Sequence, residues 1–290
     1  ATINRQAGQS VAKGGIVRSH FTRTPVVNTT YAPSMTVPEG TDQTVDNKTL
    51  SVNQFATVQI PWTGEEIKHL NNGSGFETVY GDQIAQAMRS IVNTIESYVA
   101  GIVKTGSSRA FGTAGTTPFA TNFNEIAELR QILVDNGCPM DNQVTLVINT
   151  AAGTKLRNLA QLQKVSEAGG SELLRQGVLL DLQNIMLKES AGIGLHTKGT
   201  GSGYLVNSAS ITAGTTTIPT DTGTGTLLAG DVVTFAADTV NKYVVNTTLA
   251  GGSFALGAPG TRVAIADNNA ITIGNNYTAN VAFHRSAVEV

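Results

Sequence analysis

A chain of 290 residues with 40% hydrophobic content is long enough for one large domain or two modest ones, and its single cysteine, Cys138, excludes an intramolecular disulfide framework. Charged residues make up only 14%, against roughly 25% in an average soluble domain, and the net charge is −2, so strong repulsion between copies is excluded and apolar or hydroxyl-rich surface is left over for contact. No apolar run reaches the roughly 18 residues of a membrane span, and Ala1 to Gln9 is polar rather than signal-like, so the chain reads as soluble, unexported and without a membrane partner.

Residues 1–60 contain Pro25, Pro33 and Pro38 together with alternating Leu50, Val52, Phe55, Val58 and Ile60, which predicts an extended N-terminal arm with strands. Arg5, Lys13, Arg18 and Arg23 fall in its first 25 residues with no acidic residue among them. A solvated tail explains these four charges more simply than nucleic-acid contact, because no aromatic side chains alternate with them to stack bases. A helix is predicted from about Asp82 to Lys104. Its apolar residues Ile84, Met88, Ile91, Ile95, Val99 and Ile102 recur every three or four positions and form one stripe on a rod of roughly 34 Å, expected to be the buried axis of the core.

A second helix is predicted from about Phe123 to Asn136, stopped by Gly137 and Pro139, followed by a strand over Val144 to Ile148. Thr150 is expected to cap a third helix bearing Leu156, Leu159 and Leu162, with Gly169 and Gly170 releasing the chain. Val178 to Leu180 and Ile185 to Leu187 read as a buried strand, and Gly192, Gly194 and Gly199 as the turn beyond it. Residues 61–199 are thus an α+β core in which helices cover a sheet. After Gly199 helix signals vanish. Short strands near 231–236, 242–246, 262–266 and 270–273, separated by Thr and Gly, predict an inserted β-barrel or sandwich module over residues 200–278, with 279–290 returning as a strand to the core. Asp231 after Gly230, and Asn268 with Asn269, suit turns.

Catalytic, cofactor and metal sites are all read as none. His20, His69, His196 and His284 are each isolated from Cys, His, Asp or Glu at metal-ligand spacing, and no Gly-x-Ser-x-Gly elbow singles out a nucleophile. The glycines at 199, 201 and 203 lack the Gly-Lys-Ser/Thr ending of a phosphate loop and read as a flexible domain joint. His196, between glycines with no carboxylate nearby in sequence, reads as a structural hydrogen bonder.

Four segments in this order carry a resemblance: Val58 to Trp62 with Glu65; the long helix from Asp82; Leu133, Gly137, Pro139 and the strand through Val147; and Gly177 to Gly199, with its Gly-x-His-Thr-x-Gly at 194–199, paired with Asn-x-x-Phe-His-Arg-x-Ala at 280–287. Together they resemble the coat-protein family of short-tailed bacteriophages, which has the Hong Kong 97 class of capsid fold. The resemblance implies an α+β fold with an extended arm, a spine helix and an inserted β module. It also implies a non-catalytic major capsid protein without cofactors, whose copies form pentamers and hexamers of an icosahedral shell around double-stranded DNA, assembled in the bacterial cytoplasm as a procapsid. Scaffolding and portal proteins, a decoration protein and non-specifically bound DNA are the partners implied. Members of that family continue past the Phe-His-Arg segment with further axial strands, whereas this sequence stops at Val290, which leaves that part of the expected fold open. The alternative is a β-rich virion or cell-surface binding module, such as an adhesin, tail or decoration protein. That class accounts for the Thr and Gly content but not for the long helix.

Overall fold

A computed structural model describes residues 14–22, 27, 29, 35–36, 45–61, 63–70, 76–164, 177, 179 and 181–288. Pro25, Pro33, Pro38, Trp62, Gly169, Gly170, Val178 and Leu180, which figure in the expectations above, lie outside these residues. The chain mixes few helices with many strands. Strands β1 (Ile16–Thr22) and β2 (Val45–Ser51) pair antiparallel, Ile16 opposite Ser51 and Thr22 opposite Val45, as a two-stranded sheet of their own. The short helix α1 (Gly64–Leu70) begins at a capping box. Thr63 N–H donates to Glu66 Oε2 at 2.8 Å while Glu66 N–H points back to Thr63 Oγ1; the Thr63 N–H, then its hydroxyl, bonded to the carboxylate hold Glu66 below its ordinary range.

Helix α2 (Phe76–Gly106) runs 31 residues, six longer at its start than the spacing predicts, and reaches about 46 Å. Its apolar stripe overturns one expectation. Ile84, Met88, Ile95 and Ile102 are exposed, and Ile91 and Val99 only half-buried, so the helix is not the buried axis of its own core. Its C-terminal end is the more covered part, where α2 meets the long strand of the second module.

Strand β3 (Arg109–Ala110) follows, then α3 (Asn124–Asp135), which ends as its sequence predicts. Gly137 takes φ +78°, and Cys138 N–H reaches back to Leu133 O at 2.9 Å. Strand β4 (Val144–Asn149) is the centre of a three-stranded sheet. It leads into α4 (Thr150–Arg157), whose cap is Asn149 rather than Thr150: the Asn149 side chain accepts the Ala152 N–H at 3.0 Å. The single helix expected there breaks after Arg157 and resumes as α5 (Ala160–Gln163), with Leu156, Leu159 and Leu162 buried.

Strand β5 (Met186–Ser190) pairs parallel to β4, Leu187 opposite Leu146. Ile185 does not belong to it as expected. Leu182 and Ile185 exchange backbone hydrogen bonds across Gln183 and Asn184, both at positive φ, forming a tight turn before the strand. Phe119, Ile126, Val144, Leu146, Ile148, Leu156, Ile185 and Leu187 fill this first core.

The remaining strands are β6 (Leu195–His196), β7 (Leu205–Val206), β8 (Ser210–Ile211), β9 (Thr217–Asp221), β10 (Val232–Phe235), β11 (Asp238–Ala250), β12 (Ser253–Leu256), β13 (Ile265–Ala266), β14 (Ile271–Ile273), β15 (Tyr277–Thr278) and β16 (Val281–His284). Strands β14, β10, β11, β12, β9 and β7 lie side by side in that order, with β3 also paired to β11. The two end strands meet. Ile271 N–H donates to Tyr204 O and Val206 N–H to Asn269 O, both at 3.0 Å, which closes the sheet on itself and removes its edges. Val206, Ile218, Val233, Phe235, Tyr243, Val245, Phe254 and Ile265 fill the interior. Strands β8 and β13 pair beside it, β15 pairs β6, and β16 returns to β4 antiparallel, Val281 opposite Val147.

Candidate functional site

The chemistry-bearing side chains gather at the joint between the two cores. His196 sits on β6 opposite Tyr277, 6% exposed, with Lys104 Nζ 3.1 Å from Nδ1 and Asp231 Oδ1 2.9 Å from Nε2. Lysine has only N–H groups to give, so Nδ1 accepts and Nε2 carries the proton that His196 donates to Asp231. Asp231, 1% exposed, also accepts the Gly199 N–H at 3.1 Å and the Leu228 N–H at 2.7 Å. A buried carboxylate requires such a set of donors to offset its lost hydration.

Two glycines make the joint fit. A Cβ on Gly199 would lie 2.1 Å from Thr226 O, and one on Gly230, at φ +96°, 3.0 Å from His196 Cε1. The Tyr277 ring tilts against His196 at 5.3 Å, and its hydroxyl donates to Gly230 O at 2.5 Å. Burial first and the Asp231 charge second push the Tyr277 phenol up to about 12. Gly199 and Gly201 therefore serve close approach and not slack, since a Cβ on Gly201 would also lie within 3 Å of Thr226 O. This corrects the reading of a flexible joint. Asp231 is likewise more than a turn residue.

A second clasp lies nearby. Arg109 Nη1 from β3 and Arg262 Nη2 lie 3.6 and 3.7 Å from Asp135 Oδ2 at the end of α3. Arg109 Nη2 donates to Asn241 Oδ1 at 2.7 Å, Asn241 donates to Asp238, and the buried Tyr243 hydroxyl donates to Asp238 Oδ2 at 2.5 Å. Burial, then the bond to Asp238, raise the Tyr243 phenol to about 12. Nothing in the sequence singled out this network, because its members are spread from residue 109 to 262. Between the clasps runs a cleft of about 900 Å³, lined by Arg109, Glu125, Asn136, Lys242 and Tyr277 among others. Phe119 at its wall is buried at φ +61°, with its N–H on Glu125 Oε1.

The other histidines go elsewhere. His284 caps the last turn: Nδ1 accepts the Ser286 N–H, leaving Nε2 to donate to Asp141 Oδ1 at 3.0 Å. Asn280 of the same string accepts the Asn149 N–H at 2.8 Å, and Phe283 is buried. These residues hold β16 to β4. His20 and His69 are exposed on β1 and α1. Arg18 is exposed on β1, while Arg5, Lys13 and Arg23 lie outside the described residues. No helix among the described residues is long and apolar enough to cross a membrane.

No family model matches the chain, and no curated protein sequence does. Among solved structures, a chain from Mycobacterium phage Che8 is similar to it over 98% of this chain and 89% of that one, with a TM-score of 0.51 and 14% identity. At that identity the likeness is one of fold.

Proposed function

We propose that this chain is the major capsid protein of a tailed phage, with a Hong Kong 97-type fold. Copies of it assemble as pentamers and hexamers into an icosahedral shell around double-stranded DNA, and it performs no catalysis. One observation carries this reading: two cores locked together at their joint bear long elements whose apolar side chains face solvent. Ile16, Phe21 and Val45 on the β1–β2 pair, Val58 after it, and Ile84, Met88, Ile95 and Ile102 of the α2 stripe are exposed in the single chain. A two-stranded sheet is marginal alone, and apolar surface of this extent calls for cover by other chains. Whole-length likeness in fold to a phage chain and the Asn280 to Ala287 string support it.

Function is then geometry. His196, bonded between Lys104 and Asp231, and the Asp135 clasp keep the β module at a fixed attitude to the core, which a curved lattice of identical subunits requires. Scaffolding and portal proteins direct assembly, a decoration protein adds to the outside, and the packaged double-stranded DNA is met without sequence preference. Negative-stain microscopy of the purified chain tests the reading: closed shells or capsomer-sized rings are expected. The self-contained interior of the β barrel favours a second reading, a virion or cell-surface binding module, and discrete small particles in the same images select it.

A further inference from the structure

Helix α2 carries a seam that the described residues leave open. Ile84, Met88, Ile91, Ile95, Tyr98 and Ile102 are separated by four, three, four, three and four residues, the 3.5-residue period with which one helix faces another along its length. Ile84, Met88, Val92, Ile95, Tyr98 and Ile102 are 42% to 59% exposed. The flanking Ala85, Ala87, Thr94 and Gly101 are small and uncharged, so a second backbone can approach closely. Among the described residues, Ser190, Gly192 and His196 reach the helix from its other side. Glu96 accepts from Ser190 Oγ at 2.6 Å, Gly192 packs on Glu96 and Ser97, and Lys104 reaches His196. At about 100° per residue these positions point roughly opposite to the seam.

The size and symmetry of the seam identify its occupant. At the exposures above, six such side chains present about 600 Å², and two copies about 1,200 Å², at the lower end of the roughly 1,200–2,000 Å² of specific interfaces. The seam is symmetric about Asn93: Ile84 and Ile102, Met88 and Tyr98, and Ile91 and Ile95 lie at equal distances on either side. A two-fold axis at Asn93 therefore stacks each apolar residue of one helix on its counterpart, brings Asp82 of one copy beside the last turn of the other, and opposes the two helix dipoles. We propose that a second copy of this chain covers the seam with its own α2, antiparallel about that axis. The inference rests on the reading that copies of this chain assemble with one another.

Disulfide trapping tests it. In a Cys138→Ser background, cysteines replace Met88, Tyr98, both, or Asn93 on the opposite face, and the assembled protein is mildly oxidised and run on a denaturing gel. The double variant, and a mixture of the Met88→Cys and Tyr98→Cys chains, are expected to give a covalent dimer. Each single variant alone, and Asn93→Cys, are expected to run as monomer. Shells that form without any seam cross-link, cross-linking through Asn93→Cys, or Met88→Cys pairing with itself overturn the helix pairing and leave the capsid reading standing. Wild-type chain that never associates overturns both. Because Met88 and Tyr98 are exposed, a variant with an unchanged melting curve certifies that its fold is intact.

Discussion

Lys104, in the last turn of the longest helix, gives a hydrogen bond to His196 Nδ1 at 3.1 Å, across 92 positions of sequence. That one contact fixes the tautomer of His196 and directs its remaining proton at Asp231, so helix, core loop and β barrel close on a single ring. Replacing His196 with Ala removes one donor from a carboxylate that is 1% exposed and strips the Lys104 ammonium of its acceptor. Loss of about 2–4 kcal/mol of stability is expected, read as a shift in the urea midpoint. Asp231→Ala, which orphans the Gly199 and Leu228 N–H groups as well, is expected to cost at least as much. A midpoint unchanged by either substitution contradicts the joint described here.

Gly199 and Gly194 form a matched pair. A methyl on Gly199 meets Thr226 O at 2.1 Å, whereas one on Gly194 meets nothing within 4 Å. Gly199→Ala is expected to cost about 1–3 kcal/mol through overpacking, and Gly194→Ala to lie within about 0.5 kcal/mol of wild type. Equal melting temperatures for the two variants argue against a tightly fitted joint.

The two buried phenols give a pH signature. Tyr243 and Tyr277 bind their protons more tightly folded, at about 12, than unfolded, near 10. Between those values the native state holds protons that the unfolded state has lost, so this stabilisation is full below pH 10 and falls as pH rises toward 12. The slope is at most about 1.4 kcal/mol per pH unit for each tyrosine. Tyr277→Phe is expected to flatten the loss of stability seen in denaturation between pH 10 and 12, and an identical slope in that variant removes Tyr277 from the account.

Ile95 and Ile126 separate the face proposed to meet other copies from the core. Ile95 is 47% exposed on α2, whereas Ile126 is fully buried in α3. Ile95→Asp is expected to give a folded subunit, within about 1 kcal/mol of wild type, that no longer associates, and Ile126→Asp to give no folded protein. Circular dichroism and gel filtration read the two effects separately.

Much of the first core was legible because its signals are local. Asn136 and Gly137 before Pro139 marked the end of α3, and the apolar run from Val144 marked β4. Asn149 and Thr150 are adjacent cap-forming residues, and the side chain that bonds Ala152 decided between them. The α2 stripe was legible as a face, but periodicity shows only that a face is apolar and not what covers it. Strands β7, β9 and β12 are two to five residues long, too short to show alternation. The pairing of His196 with Asp231 spans 35 residues, and the aspartate's place after Gly230 read as a turn. No local signal ties the two.

The central claim is that identical copies complete this chain by covering its exposed apolar faces. Sedimentation of the purified wild-type protein across a concentration series tests that most directly. The account predicts a mass far above the 30.2 kDa chain, arriving as discrete capsomer-sized and shell-sized species. A single 30.2 kDa species that persists at the highest concentration contradicts it.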